Sequence, residues 1–246
     1  MQAFLPPLVV SFIVPAYNEE QLLGPTLESI HSAAQDIGEP YEVIVVDDGS
    51  TDQTPLVAKR NGARVVAVAH RKISATRNSG AKVATGELLF FVDADTLVNK
   101  QVVQAAIHLM RGGAVGGGAA FKFDGLVPWY ARMILPVIVF VFRLAGIATG
   151  CFLFCTKSAF EAVGGFDEAY FGAEEIVLSQ ALRRQGRFKV LRHSVTTSGR
   201  KLRTFSNREV MALLLRIARQ GPSGVKQRQG MELWYGERRD DPKQER

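Results

Sequence analysis

From Leu8 to Arg111 the chain repeats one pattern four times: a short apolar run, then a segment with helical spacing. The runs are Leu8–Val14, Glu42–Val46, Arg64–Ala69 and Glu87–Val92, rich in Val, Ile and Phe as buried strands are. The segments between them read as helices over Glu19–Gln35, Thr54–Asn61 and Ser74–Ala84, with Ser74 placed to cap the third, and Asn99–Arg111 completes the series. Such alternation predicts an α/β fold, a mostly parallel sheet with helices on both faces. Ligands then bind off the carboxyl ends of the strands. Pro15-Ala16-Tyr17-Asn18-Glu19, Asp47-Asp48-Gly49-Ser50, His70-Arg71-Lys72 and Asp93-Ala94-Asp95 stand at those ends. Carboxylates, a tyrosine and cations are therefore expected along one edge.

The second half is less regular. Gly112–Gly118 holds five glycines in seven positions but lacks the Gly-Lys-Ser/Thr ending of a phosphate loop, so it reads as a helix end leading into a strand at Ala119–Phe123. Further strands are expected at Gly150–Cys155 and Phe188–Thr197, with a turn at Gly164-Gly165-Phe166-Asp167 and a helix over Glu174–Gln185. Glu209–Arg219 has the spacing of a basic amphipathic helix, and Glu237–Arg246 reads as a disordered tail.

With 47% hydrophobic and 22% charged residues over 246, the chain can bury a core and is not a disordered one. Cys151 and Cys155 are the only cysteines, which excludes a disulfide framework and a four-cysteine zinc site; flanked by apolar residues, they read as buried thiols. His31 and His108 fall within helices and carry no expected chemistry. The net charge of +6 suits an anionic partner, a nucleotide or a phospholipid surface. Most of the late cations Arg183, Arg184, Arg187, Lys189, Arg192, Arg200, Lys201 and Arg203 read as a solvated face. Residues 1–18 are uncharged, but they lack a basic leading region and are interrupted by Pro6, Pro7 and Pro15, so no targeting segment is expected.

Asp93-Ala94-Asp95 carries the clearest chemistry. Two carboxylates one residue apart, directly after a buried strand, can share a divalent cation. Hard oxygen donors favour Mg2+ or Mn2+ over zinc, and such a cation neutralises a diphosphate. Asp93-Ala94-Asp95-Thr96 also fits the nucleophile motif of haloacid-dehalogenase-like phosphatases, although that motif closes the first strand of its domain and here three strand–helix units precede it. A nucleotide-binding module without catalysis is a third reading.

VSFIVPAYNEE (10–20), VIVVDDGSTDQT (43–54), ATRNSGAKVATGELLFFVDADT (75–96), GGFDE (164–168) and AEEIVLSQALRRQG (173–186) together resemble the signature of the family 2 glycosyltransferases, in order and spacing, over roughly residues 8–200. The resemblance implies a GT-A fold over 1–205, with a nucleotide-binding half at about 8–112 and an acceptor half at about 113–205, then a basic helix and tail over 206–246. It implies metal-dependent, inverting, single-displacement transfer of a sugar from a UDP-, GDP- or dTDP-sugar to an acceptor hydroxyl or phosphate, with Mg2+ or Mn2+ as cofactor and no nucleic-acid partner.

Carried over residue by residue, the resemblance assigns roles. Pro15, Tyr17 and Glu19 line the nucleoside, with Tyr17 near the base; Asp48 hydrogen-bonds the nucleobase, with Asp47 beside it. Arg77 lies near the diphosphate, Asp93 and Asp95 form the metal motif around Ala94 in the donor site, and Asp95 is the direct ligand. Glu175 falls on the catalytic base and Glu174 on the acid before it. The chemistry is consistent with these roles: an acceptor hydroxyl needs a carboxylate to take its proton, and the departing diphosphate gathers negative charge that a cation and Arg77 would stabilise. Three positions depart from the family pattern. Glu174-Glu175 stands where Glu-Asp is usual, Val177 stands where an acid is common, and Ser198, not His193, falls where many GT-A enzymes carry a histidine metal ligand.

Residues 126–155 carry charge only at Arg132 and Arg143. The ten uncharged residues between them fall short of the ~20 that span a bilayer. Pro136 is expected to break any regular helix there, and Trp129 and Tyr130 read as core or else as an interfacial anchor near a membrane. The apolar stretch 126–149 fits a lipid-linked or hydrophobic acceptor and peripheral attachment to the cytoplasmic face of a membrane, or else plain core.

Overall fold

The computed structural model describes residues 9–204 and Gly236; the helix expected at Glu209–Arg219 and the tail lie outside the described residues. The strands are β1 (Val10–Ala16), β2 (Tyr41–Asp47), β3 (Arg64–Ala67), β4 (Leu88–Val92), β5 (Thr96–Leu97), β6 (Gly116–Phe123), β7 (Phe152–Thr156) and β8 (Phe188–Thr197). The helices are α1 (Leu23–Gln35), α2 (Thr54–Arg60), α3 (Ile73–Val83), α4 (Lys100–Arg111), α5 (Trp129–Ala145), α6 (Lys157–Ala162), α7 (Glu174–Gln185) and α8 (Arg200–Thr204). They form one sheet of eight strands in the order β3-β2-β1-β4-β7-β6-β8-β5. β1 runs parallel to β2 and β4, and β2 to β3; β7 enters antiparallel between β4 and β6, while β6 and β8 are parallel.

The period-2 alternation of the central strands builds two cores. Phe12 and Phe90 face the layer of α1 and α4, with ring centroids 5.1 Å apart, and Phe90 stacks on Phe154 at 5.8 Å. Ile13, Ile44 and Phe91 face the opposite layer, where Phe160 and Phe166 close over Phe91. Both faces of these strands are therefore buried, as their near-continuous apolar runs require.

Two glycines set the distances that position the site. A Cβ at Gly80 would stand 2.4 Å from Ile13 Cγ2 and 2.8 Å from Val46 Cγ2, so α3 lies against β1 and β2 at a separation only glycine permits. That contact carries Thr76 and Arg77 to the carboxyl edge of the sheet. A Cβ at Gly117 would stand 2.1 Å from Lys189 O, which explains why β6 begins within the glycine run and fits between β7 and β8.

Three expectations give way. Ser74 does not cap α3: Lys72 is the N-cap, and Ser74 is buried in the first turn. α5 continues through Pro136. A proline loses the bond from its own nitrogen and crowds the carbonyl four residues back, but Pro136 and Arg132 are both exposed, so water can serve the freed carbonyl. Trp129 is not core, being 77% exposed, and α5 has no buried residue at all. The helix ends at Gly146, whose φ of 60° lets Gly146 N and Ile147 N donate back to Arg143 O and Phe142 O. Among the described residues no helix is long and apolar enough to cross a membrane.

Candidate active site

The loops after β1 and β2 are locked together at the carboxyl edge. Asn18, at a φ of 49°, donates its backbone N–H to Ser50 Oγ at 3.0 Å and accepts from Thr51 N at 2.8 Å; Glu19 N donates to Thr54 Oγ1 at 2.8 Å. Asn tolerates this left-handed conformation better than most residues. The turn leaves Pro15, Tyr17 and Glu19 facing a pocket of about 460 Å³.

Asp48 organises the next segment. Its Oδ1 accepts from Arg71 N at 2.8 Å, and its Oδ2 accepts from Lys72 N at 3.0 Å and Thr76 Oγ1 at 2.8 Å. Arg71 is held at a φ of 51°, and its guanidinium lies 3.4 Å from the centroid of the Tyr17 ring. Asp47 does not reach the pocket. Its Oδ1 accepts from Ser50 N at 3.2 Å and closes the turn instead, because alternate residues at a strand end point to opposite sides.

Arg77 differs most from expectation. It is 2% exposed; Nη1 donates to Glu174 Oε1 at 2.7 Å, while Nη2 donates to Asp93 Oδ1 at 2.7 Å and to Gly150 O at 2.9 Å. Burial disfavours its charge, yet the neighbouring Asp93, Glu174 and Glu175 raise its pKa above the ordinary value. Nε is buried without a hydrogen-bond partner. The arginine expected at the diphosphate is thus an internal tie between two carboxylates, although it still borders the pocket.

Those carboxylates come from opposite halves of the chain. Asp93 and Asp95 follow β4, and a bond from Thr96 N to Asp93 O turns the chain there. Asp95 O accepts from Ser198 N at 3.1 Å, and Asp95 Oδ1 stands 3.4 Å from Thr197 Oγ1, so the end of β8 is fastened to the aspartate pair. Burial pushes the Asp95 carboxyl up to about 6; Lys201 opposes the shift, and Glu19 and Asp93 add to it. Glu174 and Glu175 open α7 immediately after Ala173, a non-glycine residue at a φ of 58°. Burial and the adjacent Glu174 push Glu175 up to about 8, against the pull of Arg77.

Pro15, Tyr17, Glu19, Asp48, Arg77, Asp93, Ala94, Asp95, Glu174 and Glu175 all line the one pocket. Ser198 joins them, whereas His193 is exposed on β8. The late cations are not all a solvated face. Arg200 is buried and donates through Nη2 to both Glu19 oxygens at 2.8 and 3.0 Å, Lys201 lines the pocket, and Arg203 pairs with Asp124 at 3.1 Å. Their clustering beyond the last strand was the available signal, but charge runs alone do not distinguish a surface from an edge that folds inward. Cys151 and Cys155 are buried free thiols, and burial pushes Cys151 up to about 12. His31 bridges Tyr41 OH at 2.9 Å and Asn61 O at 2.8 Å, a structural role.

Among the described residues no three His, Cys, Asp or Glu side chains form a metal-holding group. Asp93 and Asp95 nevertheless both line the pocket and offer it hard carboxylate oxygens. Such a donor set fits Mg2+ or Mn2+, which Asp93 and Asp95 would hold.

Residues 11–164 match the family model for glycosyl transferase family 2. The validoxylamine A glucosyltransferase of Streptomyces hygroscopicus subsp. limoneus is 29% identical over 220 residues, covering 72% of this chain and 48% of that protein. The undecaprenyl-phosphate 4-deoxy-4-formamido-L-arabinose transferase of Serratia proteamaculans is 33% identical over 151 residues, covering 57% of this chain and 45% of that one. This chain therefore spans about half the length of the relatives it matches. Among solved structures, the mannosyltransferase of Pyrobaculum calidifontis in complex with GDP-Man and Mn2+ superposes with a TM-score of 0.63 at 22% identity, over 83% of this chain and 59% of that one. The architecture is the GT-A fold.

Proposed function

The chain belongs to glycosyl transferase family 2 and is a glycosyltransferase, and we propose that it moves a sugar from a nucleotide-sugar donor to an acceptor hydroxyl or phosphate with inversion, using Glu175 as base and a divalent cation on Asp93 and Asp95. Family membership replaces both the phosphatase reading of Asp93-Ala94-Asp95-Thr96 and the non-catalytic one. Asp93 Oδ1 is in any case engaged by Arg77, a poor arrangement for a nucleophile.

One observation carries the mechanism: Glu175 opens into the same pocket as Asp93 and Asp95. Tyr17, with Arg71 on its ring, offers a flat surface for the nucleobase, and Asp48 Oδ1 keeps a lone pair for a base N–H. Asp93 and Asp95 would hold Mg2+ or Mn2+, which when bound neutralises charge on the departing diphosphate. Lys201 lines the same wall and adds a cation there. Glu175 takes the acceptor proton as the new bond forms at the anomeric carbon and the nucleoside diphosphate leaves from the opposite side. Its raised pKa makes it a stronger base than an ordinary carboxylate. Phe121, Phe123 and Phe142 line the pocket and restrict water, the competing acceptor.

The Serratia relative is named for an undecaprenyl-phosphate, which supports a lipid-linked acceptor, and the cytoplasm is the compartment we propose, since nucleotide sugars are made there. Incubation with Mn2+ and UDP-, GDP- and dTDP-sugars is expected to bind one donor class and release its nucleoside diphosphate. Absence of both binding and turnover across the panel would overturn the proposal. Retention of anomeric configuration in the product would overturn the single displacement.

A further inference from the structure

We propose that α5 is a membrane-docking helix whose outer stripe lies in the interface of an anionic bilayer and holds the catalytic pocket at the lipid surface. An amphipathic helix normally turns its apolar stripe toward the core. Here the stripe faces out: Trp129, Met133, Val137, Phe140 and Leu144 are 77, 70, 60, 52 and 70% exposed. At about 100° per residue these five positions fall within an arc of about 80°. Phe142 lies on the opposite side and lines the catalytic pocket. One face of α5 is thus a wall of the site, and the other is an exposed apolar surface.

Charge selects the partner. On the same projection Arg132 and Arg143 border one edge of the stripe, and the Arg143 guanidinium lies 5.9 Å from the Phe140 ring. The helix carries no acidic residue. A cleft of about 400 Å³ beside its first half is lined by Lys122 and Arg132 together with Leu126, Val127, Leu135 and Pro136, cations and apolar side chains that complement an anionic head group and its acyl chain. A second copy of this chain suits the stripe less well: an antiparallel two-fold pairing would bring the arginines of both copies to one seam with no acid on the helix between them, and a parallel one would leave each arginine edge facing an apolar edge without an acid. The 17-residue helix is too short to span, so it lies along the surface.

The test uses the full chain and needs no acceptor. Co-sedimentation with phosphatidylcholine vesicles is expected to rise when phosphatidylglycerol is added and to fall with salt. Replacing Trp234 by Phe leaves Trp129 as the sole tryptophan, and its emission is expected to shift to the blue on vesicle addition. Val137→Glu with Leu144→Glu is expected to weaken vesicle binding by at least about tenfold, given the loss of two buried apolar side chains, while donor turnover stays unchanged because neither side chain lines the pocket. Indifference to anionic vesicles at low salt, or an unshifted Trp129 emission, would overturn the proposal. So would self-association without vesicle binding that Val137→Glu abolishes. Failed docking with intact donor turnover leaves the enzymatic proposal standing; intact docking without turnover does the reverse.

Discussion

Arg77 donates to Glu174 at 2.7 Å, joining the middle of α3 to the first turn of α7 across 97 residues of sequence. The same guanidinium holds Asp93 at 2.7 Å, so one buried cation sets the spacing between the aspartate pair and the glutamate pair. Arg77→Lys is expected to lower kcat by about 100-fold with a smaller change in donor KM, because an ammonium lacks the planar fork that reaches both acids. Arg77→Ala is expected to cost about 3–5 kcal/mol of stability in urea unfolding, by leaving two carboxylates without their partner. A lysine variant with full kcat would show that the tie is dispensable for catalysis.

The base assignment has its own signature. Glu175→Gln is expected to reduce kcat by about 10²–10⁴, with donor affinity by calorimetry unchanged. Since the Glu175 carboxyl is pushed up to about 8, kcat/KM is expected to rise with pH toward that value instead of levelling off near an ordinary glutamate.

The same shift links to stability. The folded protein retains the Glu175 proton to about 8, whereas the unfolded chain releases it near the ordinary glutamate value. Between those values the native state binds more protons, so this group's stabilising contribution is full at low pH and lost as pH rises through about 8. Glu175→Gln is expected to flatten that part of a stability profile measured by chemical unfolding.

Asp95→Ala is expected to abolish Mn2+-dependent nucleotide binding in titration calorimetry, while Ser198→Ala leaves it nearly intact, because Ser198 reaches Asp95 through its backbone N–H, which the substitution keeps. Equal damage from the two would make the Ser198 hydroxyl a ligand.

Arg200 and Glu19 form the other buried pair, 181 residues apart. Arg200→Ala is expected to cost about 3–5 kcal/mol by removing the buried guanidinium that donates to both Glu19 oxygens, and to raise donor KM because α8 carries Lys201 against the pocket. In a double-mutant cycle, Glu19→Gln is expected to recover part of that loss.

Much of the nucleotide-binding half was legible because its signals are local. Strand β4, five buried apolar residues in a row, ends at Val92 and delivers Asp93 directly after it, and the segments between strands carry their own helical period. Asp47 and Asp48 were harder to separate. They are adjacent in sequence, yet one closes a turn and the other lines the pocket, a difference set by strand pleat and by the β3–α3 turn folding over Asp48. The continuity of α5 through Pro136 is not legible in the sequence for a related reason: a proline costs a helix one bond wherever it stands, and only the packed chain places Pro136 on the exposed side.

The residue order by itself determined the alternating α/β plan, the carboxylates at the strand ends and the two buried thiols, since each depends on period or on neighbours a few positions away. Tertiary structure alone decided which charges meet. Glu174 lies 97 residues from Arg77 and Glu19 lies 181 from Arg200, and burial makes each pairing obligatory, because a charge removed from water is costly until an opposite charge reaches it. Tertiary structure also decided that α5, apolar enough to be core, lines the pocket with one side and leaves the other uncovered: hydrophobicity is a property of side chains, but exposure depends on what the remaining chain packs against them.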